Sequence, residues 1–267
     1  MEENKYLSAA IFAAKEAGSM LMGQLESASS KDDLSNPSVK QDKDSELLIL
    51  KILKEKFPNH GFLGEEFGEK NPIAEYKWII DPIDGTNNYT GGRDSFSVSI
   101  GLENNKEIVL GVVYLPKRDE LFYATKGNGA FLNEKQIKVS DRESNLESIV
   151  TYSTYPGEEE KTKILNDKIL ASFPKVKCFG FSDKKNLDET FGRGSMAAEF
   201  CYLACGRIDG LIRLKQKPWD VAAGSIIAKE AGAYMNNLEG KECSVYEGDY
   251  VAANPKLLDN IDKVIFD

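Results

Sequence analysis

The segment Trp78 to Asn88 (WIIDPIDGTNN) leads a run of β-branched and aromatic residues into two aspartates and a glycine turn. Such a run predicts a buried strand that ends at Pro82, because proline cannot donate a hydrogen bond to a sheet ladder. Asp81 and Asp84 then lie at the carboxyl end of that strand. Carboxylates bind hard cations, and the backbone N–H groups of the following turn could bind an anion, so the segment favours a divalent metal that holds a phosphate. An Asp-Gly pair is also a common turn, so a turn without chemistry stays open from this segment alone.

Further acidic residues stand at the predicted ends of helices or strands. They are Asp42 at the start of a helix, the Glu65-Glu66 pair in FLGEEFG, and Asp220 in PWDVAAG. The chain has one histidine, His60, which excludes sites that combine several imidazoles, such as His-ligated zinc. His60 follows a helix in FPNHGF and is predicted to be structural. Any catalysis therefore depends on carboxylates, hydroxyls, lysines or a metal held by oxygen.

The composition is typical of a soluble globular protein. Its 267 residues are 41% hydrophobic, which is enough for one large domain or two packed halves. The chain has no apolar run of membrane-spanning length, and its acidic N-terminus predicts an amphipathic helix, so we expect a cytoplasmic protein with no membrane partner. A formal net charge of −9 argues against a nucleic-acid partner. The cysteines lack paired CxxC spacing and are predicted to be buried free thiols.

The pattern of apolar residues predicts a layered α+β or α/β domain. Helices are predicted over residues 5–27, over 42–57 with Asp42 as cap, over 158–172, from Gly194-Ser195 to Gly206, and over 221–231 with Asp220 as cap. Strands are predicted at 78–80, 95–102, 108–114, 120–124, 148–155, 175–181 and 208–214, the second to fourth of which form an antiparallel meander. Residues 27–39 are predicted to form a polar loop. Gly127-Asn128-Gly129 resembles a nucleotide loop, but strand signals on both sides predict a hairpin turn.

The acidic elements together resemble the motifs of the inositol monophosphatase superfamily. The matching segments are GEE at 64–66, DPIDGTNNY at 81–89, PWDVAAG at 218–224 and EAGA at 230–233, and they extend over nearly the whole chain. The resemblance implies a layered αβαβα sandwich of the inositol monophosphatase and fructose-1,6-bisphosphatase type. It also implies a homodimer whose chain is a single phosphatase domain of two packed halves, about 1–140 with the metal site and about 141–267.

The resemblance implies roles for individual residues. Two or three Mg²⁺ ions would be held by a metal site that comprises Glu65, Asp81, Asp84, Asp220, Asp42 and the Ile83 carbonyl. Asp42 and Thr86 would activate the water that attacks phosphorus in line, and Glu65 would also take part in catalysis. Substrate contacts are implied at Gly85, Thr86, Asn87, Ala197 and Asp220. Lys31 lies where a lysine near a third metal is often found, and Glu66 could support the metal ligands.

Arg213 departs from the inositol-selective pattern. It stands seven residues before Asp220, where those members commonly have a glutamate, so the resemblance does not imply strict inositol specificity. By the two-residue period of a strand, Arg213, Lys215 and Lys217 share one face. That face is either a solvated strand edge or, with Arg193, a contact for a second phosphate, as in fructose 1,6-bisphosphate or 3′-phosphoadenosine 5′-phosphate.

The sequence thus predicts a Mg²⁺-dependent phosphomonoesterase that hydrolyses a small polyol or sugar phosphate with a metal-activated water. The alternatives in the same superfamily are a fructose-1,6-bisphosphatase, a 3′(2′),5′-bisphosphate nucleotidase and a histidinol-phosphatase. Asn87-Asn88 resembles the inositol monophosphatase form of the motif more than the nucleotidase form, which favours the monophosphates. A non-catalytic metal or phosphate sensor is a more distant alternative, and the presence of both Asp42 and Thr86 argues against it.

Overall fold

The computed structural model describes residues 2–28, 38–152, 167–169, 171–174, 177–178 and 194–266. The helices are α1 (Glu2–Ala28), α2 (Ser38–Lys56), α3 (Thr86–Thr90), α4 (Met196–Ala204), α5 (Pro218–Glu230) and α6 (Pro255–Phe266). The strands are β1 (Gly61–Gly64), β2 (Gly68–Lys70), β3 (Tyr76–Asp84), β4 (Ser97–Asn104), β5 (Glu107–Leu115), β6 (Glu120–Thr125), β7 (Ala130–Leu132), β8 (Lys135–Ile137), β9 (Val150–Tyr152), β10 (Lys177–Cys178), β11 (Gly210–Arg213), β12 (Tyr234–Asn236) and β13 (Tyr250–Ala253). A 3₁₀ turn (Pro116–Arg118) joins β5 to β6.

Among the described residues, the strands form two sheets, which come from successive parts of the chain. The first is eight-stranded with the order β2-β1-β3-β4-β5-β6-β7-β8, and the second is five-stranded with the order β10-β9-β11-β13-β12. In the first sheet β1 and β3 are parallel and the other pairs are antiparallel, so the predicted meander of β4, β5 and β6 is confirmed. In the second sheet β9 runs parallel to both β10 and β11.

In the described part of the chain, three hydrophobic clusters hold five layers of helices and sheets together. One cluster joins α1 and α2 to the first sheet, through residues such as Ala13, Ile49 and Trp78. The next joins the opposite face of that sheet to α4, α5 and the second sheet, as Ile79, Phe200 and Leu211 illustrate. The last covers the outer face of the second sheet with α6. The order of layers is therefore α, β, α, β, α, which confirms the predicted fold class.

Helix α5 approaches the first sheet closely because the sheet has a glycine, Gly111, at the point of contact. A Cβ placed on Gly111 of β5 would lie 2.4 Å from the carbonyl oxygen of Ala223 on α5. A side chain at position 111 would therefore force the helix away from the sheet. This close packing brings the first turn of α5, with Asp220, towards the end of β3.

Several predicted boundaries were wrong in ways that bear on the site. Helix α2 begins at Ser38, so Asp42 lies inside the helix and does not cap it. Strand β3 continues through Pro82 to Asp84, with an irregular register between Asp81 and Asp84 that lets the ladder pass the proline. Helix α5 begins at Pro218, so Asp220 is its third residue and does not cap it.

The hairpin prediction for Gly127-Asn128-Gly129 is confirmed, since this segment joins β6 to β7. The N–H groups of Gly127 and Gly129 donate to the Glu230 carboxylate at 2.8 and 2.9 Å, so they are already engaged within the protein. His60 stacks between Phe57 and Tyr76, with ring centroids 5.0 and 5.1 Å away, which fits the predicted structural role.

Other predictions concern residues outside the described part of the chain or only partly within it. Lys31 and Arg193 lie outside the described residues, as do most of the predicted helix at 158–172 and much of the loop at 27–39. Cys201, Cys205 and Cys243 are free thiols, of which Cys205 is half-buried and the others are buried. None of the described helices is both long and apolar enough to span a membrane.

Candidate active site

Strand β3 delivers two buried carboxylates to one end of the first sheet. Asp81 and Asp84 are 2% and 6% exposed, and both flank the irregular stretch at Pro82. The Asp81 carboxylate accepts a hydrogen bond from the Ile83 N–H at 3.0 Å. This short turn folds the chain so that Asp81 and Asp84 lie close enough for their charges to repel each other.

A tight turn follows Asp84. Gly85 has φ of 90°, a left-handed conformation that favours glycine. A Cβ at Gly85 would also lie 3.0 Å from the Ser95 carbonyl oxygen and 3.1 Å from that of Gly194, so the position is both conformationally and sterically restricted. Helix α3 begins directly afterwards at Thr86. The predicted phosphate-facing residues Gly85 and Thr86 are therefore fixed by the turn.

Helix α2 brings Asp42 to the same place. The Thr86 hydroxyl lies close to the Asp42 carboxyl group and donates its hydrogen bond to the Ile83 carbonyl at 3.1 Å. Asp42 is 5% exposed, and its Oδ1 has no hydrogen-bond partner. One turn further along α2, the Ser45 hydroxyl donates to the Pro82 carbonyl at 3.2 Å. The structure thus places Asp42 and Thr86 beside each other, and their role in activating water stays a prediction.

Two further predicted metal ligands come from other elements. Glu65 stands in the turn after β1, where its N–H donates to the Ile80 carbonyl at 3.3 Å, and its carboxyl group lies close to that of Asp81. Asp220 stands in the first turn of α5 and accepts the Lys217 N–H at 2.7 Å. The charges of Glu65 and Asp220 repel each other, so they face the same space.

The N-terminus of α4 binds Asp84 directly. Ser195 caps this helix by accepting the Ala198 N–H at 3.2 Å, and its hydroxyl donates to Asp84 at 2.8 Å. The N–H groups of Met196 and Ala197 donate to the same carboxylate at 3.1 and 2.6 Å. Because the Ala197 N–H is engaged with Asp84, its predicted contact with substrate stays a prediction.

The crowding of carboxyl groups raises their pKa values. Burial, with repulsion from Glu66 and Glu65, raises the pKa of Asp42 to about 7. Burial and repulsion from Asp220 raise the pKa of Glu65 and of Asp84 to about 7 each, although Glu65 as a whole residue is exposed at the rim of the site. Burial and then repulsion from Asp84 raise the pKa of Asp81 well above its usual value. Burial raises the pKa of Asp220 as well.

These carboxyl groups fit a hard cation. Within the described residues, no lysine or arginine forms an ion pair with Asp42, Glu65, Asp81 or Asp84. The available ligands are oxygens, which Mg²⁺ prefers, and Asp42 Oδ1 is buried without a partner. Across the described parts of the chain, no group of three or more acidic, histidine or cysteine side chains is already arranged to hold a metal. The carboxyl groups would therefore have to release protons and rotate towards a bound ion.

Arg213 lies in a different environment from the one predicted. The guanidinium is 3% exposed, pairs with Glu199 of α4, and donates to the Thr151 hydroxyl at 2.9 Å. The prediction of a solvated edge was therefore wrong for this residue. The strand ends at Arg213, and Lys215 has φ of 55°, so the two-residue alternation does not continue to the lysines. The contact of Arg213 with a second phosphate stays a prediction that its ion pair with Glu199 disfavours.

The sequence interpretation missed residues that hold the site together. The sequence pattern identifies Ser195 only as the start of a helix, whereas its hydrogen bond to Asp84 connects distant parts of the chain. Asn88 was seen only as part of the motif, yet it is buried and donates to the Ser95 carbonyl at 2.6 Å, which closes the turn around Gly85. Asn87 is exposed beside it. The signal available in the sequence is an asparagine shortly after a glycine turn, because asparagine side chains often hydrogen-bond to backbone groups in turns.

Comparison with known proteins agrees with this geometry. A sequence profile described as "Inositol monophosphatase family" matches residues 2–264. The chain belongs to the inositol monophosphatase family. It is accordingly a phosphatase, a phosphoric monoester hydrolase, as predicted. The family is generally Mg²⁺-dependent.

Relatives within the inositol monophosphatase family cover almost all of the chain. A fructose-1,6-bisphosphatase/inositol-1-monophosphatase of Aquifex aeolicus is 36% identical over 262 residues, which are 96% of this chain and 94% of the relative. A putative Nus factor SuhB of Neisseria meningitidis is 34% identical over 270 residues, 98% of each chain. The structure of inositol monophosphatase from Anabaena (Nostoc) has a TM-score of 0.83 and 32% identity, and covers 99% of this chain and 96% of that one.

Proposed function

We propose that the protein hydrolyses a small polyol or sugar monophosphate with Mg²⁺ bound among Glu65, Asp81, Asp84 and Asp220. The observation that carries this proposal is that these carboxyl groups, with raised pKa values, meet in one place beside Asp42 and Thr86. A carboxylate cluster alone could store a cation. A further carboxylate beside that cluster, with a hydroxyl nearby, can also take a proton from water.

Each residue has a defined part in the proposed reaction. Bound Mg²⁺ would neutralise phosphate charge and lower the pKa of water. Asp42 would accept the proton of the attacking water, and Thr86 would orient that water, because its hydroxyl lies close to Asp42 and is held by a hydrogen bond to the Ile83 carbonyl. The turn at Gly85 would hold the phosphate in line. No residue needs to form a covalent intermediate.

The substrate class follows from what surrounds the carboxylates. Arg213 is already paired with Glu199, so the described residues favour a substrate with one phosphate group. The relative from Aquifex aeolicus is named for both fructose 1,6-bisphosphate and inositol 1-phosphate chemistry, so a bisphosphate belongs among the substrates to be tested. A cytoplasmic location, a homodimer and the absence of nucleic-acid and membrane partners stay predictions.

The experiment is phosphate release by the purified protein, with Mg²⁺ and with a chelator. The substrates are inositol 1-phosphate, fructose 1,6-bisphosphate, histidinol phosphate and 3′-phosphoadenosine 5′-phosphate. We expect metal-dependent release that is highest for inositol 1-phosphate or another polyol or sugar monophosphate. A preference for a bisphosphate would overturn the substrate class and would restore Arg213 or Arg193 as a candidate contact. No release from any substrate would contradict the catalytic proposal.

A role in binding is the second candidate, since relatives of the chain are named Nus factor SuhB. That name describes those proteins. A protein that only binds a partner would not require both Asp42 and Thr86 beside the carboxyl groups. If phosphate release is undetectable while Mg²⁺ still binds, the non-catalytic alternative becomes the better account.

A further inference from the structure

Helix α2 has one buried face that is apolar towards its C-terminal end and acidic towards its N-terminal end. Towards its C-terminal end this face carries Ile49 and Leu53, which pack in the hydrophobic layer. One and two turns earlier the same face carries Glu46 and Asp42, which are 1% and 5% exposed. The spacing of three and four residues places all of these side chains in one row. Asp42 belongs to the candidate site, whereas Glu46 has no assigned role.

Glu46 binds the backbone of the turn that carries Glu65. Its Oε2 accepts the Glu66 N–H at 2.8 Å, and its Oε1 accepts the Phe67 N–H at 3.3 Å. The N–H of Glu65 itself donates to Ile80 on β3 at 3.3 Å. Glu65 is therefore fixed between β3 on one side and Glu46 on the other.

Gly64 leaves the space that Glu46 occupies. A Cβ on Gly64 would meet the Glu46 Oε1 at 1.9 Å and its Cδ at 2.4 Å. A larger residue before Glu65 would therefore expel the Glu46 carboxylate from the turn. The end of β1 and helix α2 fit together only with this carboxylate between them.

A carboxylate suits this position better than its neutral amide analogue. Both oxygens of a carboxylate accept hydrogen bonds, so Glu46 can bind two adjacent N–H groups at once. A glutamine would offer one oxygen and one NH₂ group, and the NH₂ group would face an N–H donor. The second amide of the turn would then lose its partner, which is costly in a buried site.

We propose that Glu46 is a positioning residue that holds the Glu65 turn in the orientation needed to bind the metal. Through Glu46, Asp42 and Glu65 become parts of one rigid unit, because both depend on the position of α2. This inference rests on the proposed function for the identity of the metal, and it adds a residue that does not itself contact metal or substrate. Changes to groups that orient metal ligands typically reduce metal affinity about 10- to 100-fold.

The test is Mg²⁺ binding measured by isothermal titration calorimetry on the wild type and on the Glu46→Gln and Glu46→Asp variants. Glu46→Asp keeps the charge but shortens the side chain by one methylene, so it should lose both amide contacts. The matched control is Glu55→Gln, which makes the same chemical change at an exposed position of α2. Amide hydrogen exchange at Glu66 and Phe67 reports the turn directly.

We expect both Glu46 variants to bind Mg²⁺ at least about tenfold more weakly and to exchange the two amides faster, with Glu55→Gln unchanged. Phosphate release by Glu46→Gln should recover towards the wild-type rate at saturating Mg²⁺, which a general loss of folded protein would not allow. Mg²⁺ affinity within about twofold of the wild type in either folded variant would overturn the proposal. If the wild type binds Mg²⁺ but releases no phosphate, the proposed function fails while the calorimetry still decides the role of Glu46.

Discussion

Ser195 donates its hydroxyl to Asp84 across 2.8 Å, although the two residues are 111 positions apart in the chain. The same hydroxyl lies 3.1 Å from that of Ser97, whose strand neighbour across the ladder is Asp84. The N-terminus of α4 therefore holds a carboxylate that the first sheet supplies. The candidate site depends on the docking of these two parts of the protein.

Ser195→Ala should weaken both the helix and the site. The variant removes an N-cap, which typically lowers the free energy of unfolding by about 1 kcal/mol, and it removes one of the three donors to Asp84. We expect a lower melting temperature and a higher Mg²⁺ requirement for phosphate release. Ser195→Thr keeps a hydroxyl and should retain most of both properties. Equal Mg²⁺ requirements for the alanine variant and the wild type would show that Ser195 does not position Asp84.

Gly85→Ala and Gly92→Ala form a matched pair for the turn after Asp84. Both glycines have positive φ, 90° and 65°, so alanine should cost about 1 kcal/mol at either position. Only at Gly85 would the new Cβ meet backbone oxygens, at 3.0 and 3.1 Å, whereas Gly92 has open space. We expect Gly85→Ala to lose stability and phosphate release well beyond Gly92→Ala. The measurements are the melting temperature and the rate of phosphate release of the two variants. Equal losses of stability and activity would contradict the close approach of backbone oxygens to Gly85.

Mg²⁺ binding should release protons near neutral pH. The metal-free carboxyl groups of Asp42, Glu65 and Asp84 have pKa values of about 7, so they retain protons at pH values where free carboxylic acids are ionised. Metal binding requires the deprotonated forms. Apparent Mg²⁺ affinity should therefore rise from pH 6 to pH 8. Calorimetry in buffers of different ionisation enthalpy measures the protons released, and a value of zero at pH 7 would contradict the raised pKa values.

The same shifts predict how the metal-free protein responds to pH. A carboxyl group whose pKa is raised by folding binds more protons in the folded state, so its contribution to stability is complete below its unfolded pKa and is lost as pH rises through about 7. Metal-free protein should thus unfold at a lower temperature at pH 8 than at pH 6. Saturating Mg²⁺ should reduce or reverse this difference. A melting temperature of the metal-free protein that rises from pH 6 to pH 8 would contradict the raised pKa values.

The lowered pKa of His60 predicts the opposite pH dependence of stability when the protein is saturated with Mg²⁺. Burial and the positive charge of Lys5 lower the pKa of His60, so the folded protein favours the neutral ring. The stabilising contribution is present above the unfolded pKa of 6.5 and is lost as pH falls through the lower folded value. His60→Phe keeps a ring between Phe57 and Tyr76 and should abolish this part of the pH dependence. The comparison is the change in melting temperature between pH 7 and pH 5 for the variant and the wild type, and identical changes would exclude the role of His60.

The resemblance carried by the acidic motifs predicts which carboxyl groups lie in one site, but it does not predict where the helices that carry them begin. Asp42 and Asp220 both occur near helix starts, and aspartate is favoured at an N-cap and also in the first turn. The sequence therefore did not distinguish capping by Asp220 from its observed place three residues inside, with Pro218 at the start. Pro82 was expected to end β3, and only the irregular register explains how the strand continues.

The contacts that hold the site are long-range, which is why local patterns did not predict them. Glu46 and Glu66, Ser195 and Asp84, and Arg213 and Glu199 meet because separate layers pack together. Arg213 shows the consequence most clearly, since a strand pattern predicts which residues share a face but not which layer covers that face. Its burial depends on the position of α4.

The most direct test of the central claim is Mg²⁺-dependent phosphate release from inositol 1-phosphate by the wild type, Asp84→Asn and Asp220→Asn. Asp259→Asn is the control, because it makes the same change at an exposed position of α6. We predict that the two site variants fold, as judged by circular dichroism, and lose roughly 100-fold or more of the wild-type rate, whereas the control retains it. Wild-type turnover in either site variant, or equal release by the wild type with a chelator present, would contradict the assignment of these carboxylates to a catalytic metal site.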